Sequence, residues 1–324
     1  MTLKPISRNL SEKIAMFGRS MTQTPLNDQK CSGEGGSRPV VSRRHLLIAA
    51  GSASIGLFTP TRLKAQQPFL FGLTPVFLTS DLALLEALQS YLSKSMGVEV
   101  RLVQKRTYQE ITSQLVAGQI DAAWICGYPF VAYRSQLDLV AVPIWRGGKT
   151  YQSYLITSAD REARGIVDLK GDVHAFSDPD SNSGFLVTRA LIADLGSRLE
   201  TFFSRSFFTY GHRNVVRAVA SGLAQSGSVD GYVWEVMTET EPALTRRTRV
   251  IWKSDWMGFP PIATSSAMAG DPRIARLRDS LLAIAGDPVG RRALGFLQLD
   301  GFATADATLF DGIAARVATI RREG

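Results

Sequence analysis

The chain has 324 residues, 45% of them hydrophobic and 20% charged. That balance suits one large or two ordinary globular domains and excludes a disordered chain. The net charge of +8 points to nucleic acid until it is mapped. Ten Lys/Arg and three Asp/Glu lie in residues 1–65, and the other 259 residues carry 27 basic and 26 acidic groups. A body of net charge +1 has no electrostatic footprint for nucleic acid. The two cysteines, Cys31 and Cys126, form no Cys-x-x-Cys pair and no metal cluster.

The leader comes first. Arg43-Arg44 precedes a 13-residue apolar stretch, Leu46 to Phe58, too short to span a bilayer and suited to a signal-peptide core. The paired arginines resemble a twin-arginine export signal. Cleavage after Leu63-Lys64-Ala65 would leave a protein starting near Gln66, outside the cytoplasmic membrane, whether translation starts at Met1 or Met21. Residues 66–324 contain no apolar run of about 18 residues.

From Phe69 onward, apolar runs alternate with helical patterns. Phe69–Leu73 reads as a buried strand, followed by a helix capped by Ser80 with Leu82, Leu85, Leu88 and Leu92 on one face. Val98–Val103 is a second strand. Thr107-Tyr108-Gln109-Glu110 is a capping box, opening a helix with Tyr108, Ile111 and Leu115 on one face. Asp121–Ile125 is a third strand, and this β-α-β-α-β order implies a parallel sheet. The pattern then restarts. Strands are expected at Tyr151–Thr157, Val173–Ser177, Ser206–Tyr210, Val229–Trp234 and Arg249–Lys253, and helices at Gly184–Leu195 and Asn214–Leu223. The C-terminal part reads as helices over Arg273–Ala285, Pro288–Leu297 and Ala305–Arg321. The expected architecture is α/β and two-lobed, each lobe a sheet flanked by helices, with a cleft between them. Residues 1–65 form the leader, 66–150 with 254–324 the first lobe, and 151–253 the second.

In open α/β sheets, ligands bind beyond the carboxyl ends of strands. Four segments lie there. Asp178-Pro179-Asp180-Ser181-Asn182-Ser183-Gly184 joins a strand to a helix; its free amides and side chains suit an anion and equally suit an ordinary helix cap. Tyr210-Gly211-His212-Arg213-Asn214 repeats the arrangement, with Asn214 available as cap. Trp124-Ile125-Cys126-Gly127-Tyr128-Pro129 puts a thiol and a phenol after a strand. Leu73-Thr74-Pro75-Val76-Phe77 is the fourth. Trp234 and Glu235 follow the strand at Val229. No Gly-x-Ser-x-Gly, His-Glu-x-x-His, Walker or dinucleotide fingerprint occurs. No cofactor is implied, and a hydrolase using Ser183 and His212 is the distant alternative.

The mature chain resembles the phosphonate-binding-type periplasmic solute-binding proteins of ABC transporters over most of residues 68–300. The resemblance rests on Asp168-Leu169-Lys170-Gly171, Ser177 through Gly184, Gly211-His212, Val219-Ala220-Ser221-Gly222 and Val229-Asp230-Gly231. It implies a type II, hinge-closing, non-enzymatic binder in the periplasm. In it Ser181, Asn182, Ser183 and His212 would hold a small oxyanion, with Tyr128 across the cleft; Thr74 and Trp234 are further ligand-binding candidates. Asn182 departs from the more usual Ser-Thr-Ser turn, and only Glu235 is at hand for an aminophosphonate amine. The Cys126 segment also resembles periplasmic arsenite-binding sensors that signal to a histidine kinase. A soft thiol suits trivalent arsenic, so Cys126 is the expected arsenic ligand if arsenite is bound. The favoured expectation is therefore an arsenite sensor. The alternative is the phosphate-, phosphite- or phosphonate-binding component of an ABC transporter, with a permease as partner.

Overall fold

The computed structural model describes residues 67–75 and 82–323. The leader with Arg43-Arg44 and Cys31, the cap expected at Ser80, and Val76 and Phe77 lie outside the described residues. The first half runs β1 (Phe69–Leu73), α1 (Leu82–Met96), β2 (Val100–Gln104), α2 (Tyr108–Val116), β3 (Ala122–Trp124), α3 (Gly127–Ala132), β4 (Leu137–Ile144), β5 (Thr150–Tyr151), β6 (Ser153–Ser158), β7 (Val173–Phe176), α4 (Val187–Asp194), α5 (Leu199–Phe202) and β8 (Arg205–Phe208). The second runs α6 (His212–Ala220), β9 (Ser226–Asp230), α7 (Gly231–Thr240), α8 (Pro242–Thr245), β10 (Thr248–Lys253), β11 (Met257–Gly258), β12 (Ile262–Ser265), α9 (Pro272–Ala283), α10 (Pro288–Leu297), β13 (Gly301–Ala303) and α11 (Asp311–Glu323).

These strands make two large sheets, in the orders β13-β4-β12-β3-β1-β2 and β10-β6-β9-β7-β8. β1 is parallel to both β2 and β3, as the helices between them require. β4, β12 and β13 extend that sheet antiparallel. The chain leaves the first sheet through β5 and returns through β11. These two short strands pair with each other, Tyr151 opposite Met257 and Thr150 opposite Gly258.

Local chemistry explains most elements, including those that differ from expectation. The Thr107 hydroxyl accepts from the Glu110 N–H, and the Glu110 carboxylate accepts from the Thr107 N–H. α2 then buries Tyr108, Ile111 and Leu115. α1 buries Leu84, Leu88, Tyr91 and Leu92, whereas Leu82 is 71% exposed. Tyr91 fixes that rotation by donating from its hydroxyl to the Ser280 carbonyl on α9 at 2.5 Å. The strand expected over Tyr151–Thr157 is two strands, because the chain changes sheets at Gln152. The strand expected over Val229–Trp234 ends at Asp230. Its carboxylate accepts from the Tyr232 and Val233 N–H groups and turns the chain into α7, so Trp234 rides on a helix. The helix expected from Ala305 is a 3₁₀ turn, Ala307–Phe310, followed by α11.

One polar chain crosses the second core. His174 on β7 is fully buried, with Ser226 Oγ 2.8 Å from Nδ1 and Ser228 Oγ 2.8 Å from Nε2, and Thr188 on α4 lies 2.6 Å from Ser228. Burial holds His174 neutral by pushing its pKa down to about 3.

Thr107→Ala removes the hydroxyl that accepts the Glu110 N–H and leaves the backbone N–H of position 107 to donate to the Glu110 carboxylate, so half of the capping box at the start of α2 is lost. The substitution is expected to lower unfolding free energy by about 1 kcal/mol, measured by denaturant titration.

Candidate functional site

The candidate site forms where the segments after β2, β3, β7 and β8 meet the crossing strand β5. After β7 the chain makes a π-helical turn, Asn182–Leu186, a geometry enriched at functional sites. Ser181 caps it by accepting the Gly184 N–H at 3.0 Å. Gly184 is required there. A Cβ would sit 1.9 Å from Ser177 Oγ and 2.9 Å from His212 Cε1. Ser153 on β6 anchors the turn by donating to the Ser183 carbonyl at 2.6 Å.

Two hydrogen bonds join this turn to the facing sheet. The Asn182 N–H donates to Cys126 Sγ at 3.2 Å, and the Tyr108 N–H donates to Asp178 Oδ2 at 3.3 Å. Tyr108, Cys126, Tyr151, Asp178, Ser181, Asn182, Ser183, His212 and Asp230 are all buried. Within this enclosure the Tyr108 hydroxyl, Ser183 Oγ and Asn182 Oδ1 have no hydrogen-bond partner. Ser183 Oγ lies beside Asp230 and Tyr151 and pulls the pKa of both down against the effect of burial.

The electrostatics follow from burial. Burial, with Asp230 and Asp178 adding to it, pushes the Cys126 thiol up to about 12, so it stays protonated. Burial pushes Tyr108 and Tyr151 well above the phenol range. Burial brings Asp230 up to about 7 against the pull of the Val233 and Tyr232 N–H groups. His212 is pushed down to about 3 by burial. Its Nδ1 accepts from the Asp230 N–H at 3.0 Å, so Nε2 carries the ring proton. The strongest charge effect on Tyr108 and Tyr151 comes from Cys126, followed by the nearby aspartates, and that on Cys126 from Asp230 and Asp178, with no lysine or arginine among them. The arrangement offers hydroxyl and imidazole donors beside a carboxylate near its titration point.

The expected site residues divide. Cys126, Ser181, Asn182, Ser183 and His212 come together. Thr74 is buried at the end of β1, but its hydroxyl donates to the Trp124 carbonyl at 3.1 Å. Tyr128 is half-buried on α3 with its ring against the core. Trp234 is elsewhere: its indole N–H donates to Thr248 Oγ1 at 3.1 Å and its ring packs on Tyr154. Glu235 also faces away, accepting from the Tyr154 hydroxyl and pairing with Arg146 and Lys253 around an outer cavity of about 480 Å³. α6 begins at His212, with Gly211 as its cap position, and Asn214 donates instead to the Thr209 carbonyl. Tyr108, Tyr151, Asp178, Asp230 and Met257 were absent from the expected set. Asp230 had a signal, since an Asp before Gly after an apolar strand is a helix-cap pattern.

Because its folded pKa is raised, Asp230 contributes stability that is full below about 4 and is lost as pH rises to about 7. Asp230→Asn keeps an oxygen for the α7 cap. It is expected to flatten the fall in melting temperature between pH 4 and pH 7, read by calorimetry on both proteins.

A family model described as the periplasmic substrate-binding protein of a phosphonate ABC transporter matches residues 71–310. The chain is 27% identical over 251 residues to a phosphate-import protein, PhnD, of Mycolicibacterium smegmatis, covering 70% of this chain and 78% of that protein. It is 24% identical over 169 residues to a probable ABC transporter phosphite-binding protein, PhnD1, of Prochlorococcus marinus, covering 50% and 57%. The fold superposes on the structure of Prochlorococcus marinus PhnD1 in complex with methylphosphonate with a TM-score of 0.71, at 18% identity and coverage of 78% and 98%. Against a binding-protein component of a phosphonate transporter from Pseudomonas aeruginosa the TM-score is 0.70, at 22% identity and coverage of 78% and 86%. The two sheets flanked by helices are thus a type II periplasmic binding fold, and the chain belongs to the phosphonate-binding family of periplasmic substrate-binding proteins, which are not enzymes and hand a small anion to an ABC permease.

Proposed function

We propose that the chain binds a compact phosphorus oxyanion, phosphite or phosphate or a small alkylphosphonate, between its two sheets. The observation that carries this reading is the set of unpartnered buried donors, Tyr108 Oη and Ser183 Oγ. Each costs about 1–3 kcal/mol when buried without a partner, and an oxyanion seated between them satisfies both. His212 Nε2–H supplies a third donor. The hydrogen bonds between the sheets at Asn182 and Tyr108 favour a compact ligand over one with a long substituent. The relatives named above for phosphate and phosphite support this ligand class. They lend no support to the arsenite-sensor expectation drawn from Cys126, and the Cys126 sulfur already receives the Asn182 N–H.

A buried anion with no lysine or arginine beside it must shed charge or share it. Asp230 is the group that allows this. Protonated, it leaves the anion as the sole charge in the enclosure; as a carboxylate, it accepts from a ligand O–H. Either way one proton is held between Asp230 and the ligand. Glu235 is committed to Tyr154, Arg146 and Lys253, so it offers nothing to an aminophosphonate amine.

Calorimetry with phosphite, phosphate, methylphosphonate and arsenite tests the reading. Ser183→Ala and Tyr108→Phe are each expected to weaken phosphorus-oxyanion binding by about 1–3 kcal/mol, with Cys126→Ser retaining it. Arsenite binding that Cys126→Ser abolishes, with no phosphorus oxyanion bound, would replace this reading with the sensor one.

Affinity for phosphite is also expected to fall as pH rises above about 7, by about tenfold per pH unit, as the shared proton is lost. Asp230→Asn should remove that slope. A pH-independent affinity in the unsubstituted protein would show that no proton is shared.

A further inference from the structure

Asn182 sits where three parts of the molecule meet, and both N–H donors of its side chain are taken by the protein. Its Nδ2 donates to the Tyr151 hydroxyl at 2.9 Å and to Met257 Sδ at 3.3 Å. Tyr151 and Met257 are register partners across β5 and β11, the two strands through which the chain passes between sheets. The Asn182 backbone N–H reaches Cys126 Sγ on the opposite sheet at 3.2 Å. A primary amide has two N–H donors, and here the two crossing strands take both. The neighbouring Ser183 supplies the unpartnered hydroxyl.

We propose that Asn182 is a positioning residue that couples the oxyanion turn to closure of the two sheets, through its amide on both crossing strands and its N–H on Cys126. On this reading the Asn182 amide donors serve the crossing strands, where the sequence expectation has the side chain holding the ligand. The chemistry demands asparagine in particular. Serine or threonine brings a single hydroxyl donor, too few for both Tyr151 and Met257. Alanine brings none. Rotation of one sheet against the other about β5 and β11 must carry Asn182 with the hinge strands or break its bonds to them. Burial of all three partners makes the broken state costly.

The test measures closure apart from ligand contact. Spin labels at Gln89→Cys on α1 and Glu200→Cys on α5, both exposed, report the separation of the sheets in the full chain with Cys31→Ser. Cys126 is buried and protonated, and is not labelled. Asn182→Ala and Met257→Leu are each expected to broaden the distance distribution toward larger separation without ligand. Each should also speed phosphite dissociation about 3- to 10-fold, the loss of about one hydrogen bond, while association changes little. The double variant should be no worse than the more affected single one, because both cut the same link. Ser183→Ala should weaken binding and leave the ligand-free distances unchanged.

Unchanged distances in Asn182→Ala, or dissociation effects that multiply in the double variant, would overturn the proposal. Should Asn182→Ala fail to fold, Met257→Leu and Tyr151→Phe cut the same link from the hinge side, and unchanged distances in both would equally overturn it. The ligand-free distances do not depend on which anion binds. A wrong ligand class would therefore show as absent phosphite binding alongside shifted distances, separate from failure of the coupling.

Discussion

The hydrogen bond from the Asn182 N–H to the Cys126 thiol is the contact on which the arrangement of the site depends. It ties a turn of the five-stranded sheet to the end of a strand in the six-stranded one. It forms because Asn182 opens the helical turn, where the first N–H groups have no partner within the helix. The Leu186 N–H reaches back five residues to the Ser181 carbonyl at 3.0 Å, and the Ser181 hydroxyl takes the Gly184 N–H. Gly184 permits that path by lying flat against Ser177 and His212. Backbone conformation, a glycine and the bond to Cys126 thus fix the turn that carries Asn182 and Ser183.

Burial then decides the chemistry. Nine polar or titratable side chains share one enclosure, and burial pushes the six that titrate toward their neutral forms: the thiol, the phenols and Asp178 upward, His212 downward, Asp230 to about 7. A neutral lining attracts an anion through oriented dipoles and not through net charge. That distinction matters for a chain whose residues 66–324 are close to neutral. Selectivity among anions must come from counting hydrogens, since a site with fixed donors and one near-titrating carboxylate reads how many O–H groups the ligand brings.

Much of this was legible in the sequence where the signal is local. β1 and the Thr107–Glu110 box are set by residues within a few positions of each other, and both are found at the expected residues. The Ser181–Gly184 turn was also visible as a polar, glycine-ended link between a strand and a helix. β4, β12 and β13 were not, because their strand character comes from antiparallel partners more than a hundred residues away in the case of β4 and β12. Trp234 was misplaced for a related reason. The apolar run Val229–Trp234 suits a strand or a helix by periodicity, and the Asp230 cap decides between them. Tyr108 read as a core residue of α2, which its ring is; only the meeting of the sheets makes its hydroxyl part of a site. Tyr151 and Met257 carry no local signal, since a two-residue pairing across about a hundred residues of chain brings them to Asn182.

The sulfur at position 126 is best understood from what a hydroxyl would do in its place. A serine there would be a stronger donor and acceptor, adding a hydroxyl proton of its own beside the Asn182 N–H. A thiol is a weak donor and a weak, polarizable acceptor. It satisfies the Asn182 N–H while making few demands of its own, and its high pKa removes any thiolate charge that would repel an anion. The same property limits its reactivity, since the thiolate is the nucleophilic form. Cys126 therefore fits the site as the quiet end of an interlobe contact. The hydroxyls of Tyr108 and Ser183, which lack partners of their own, are the groups left to recognise the ligand.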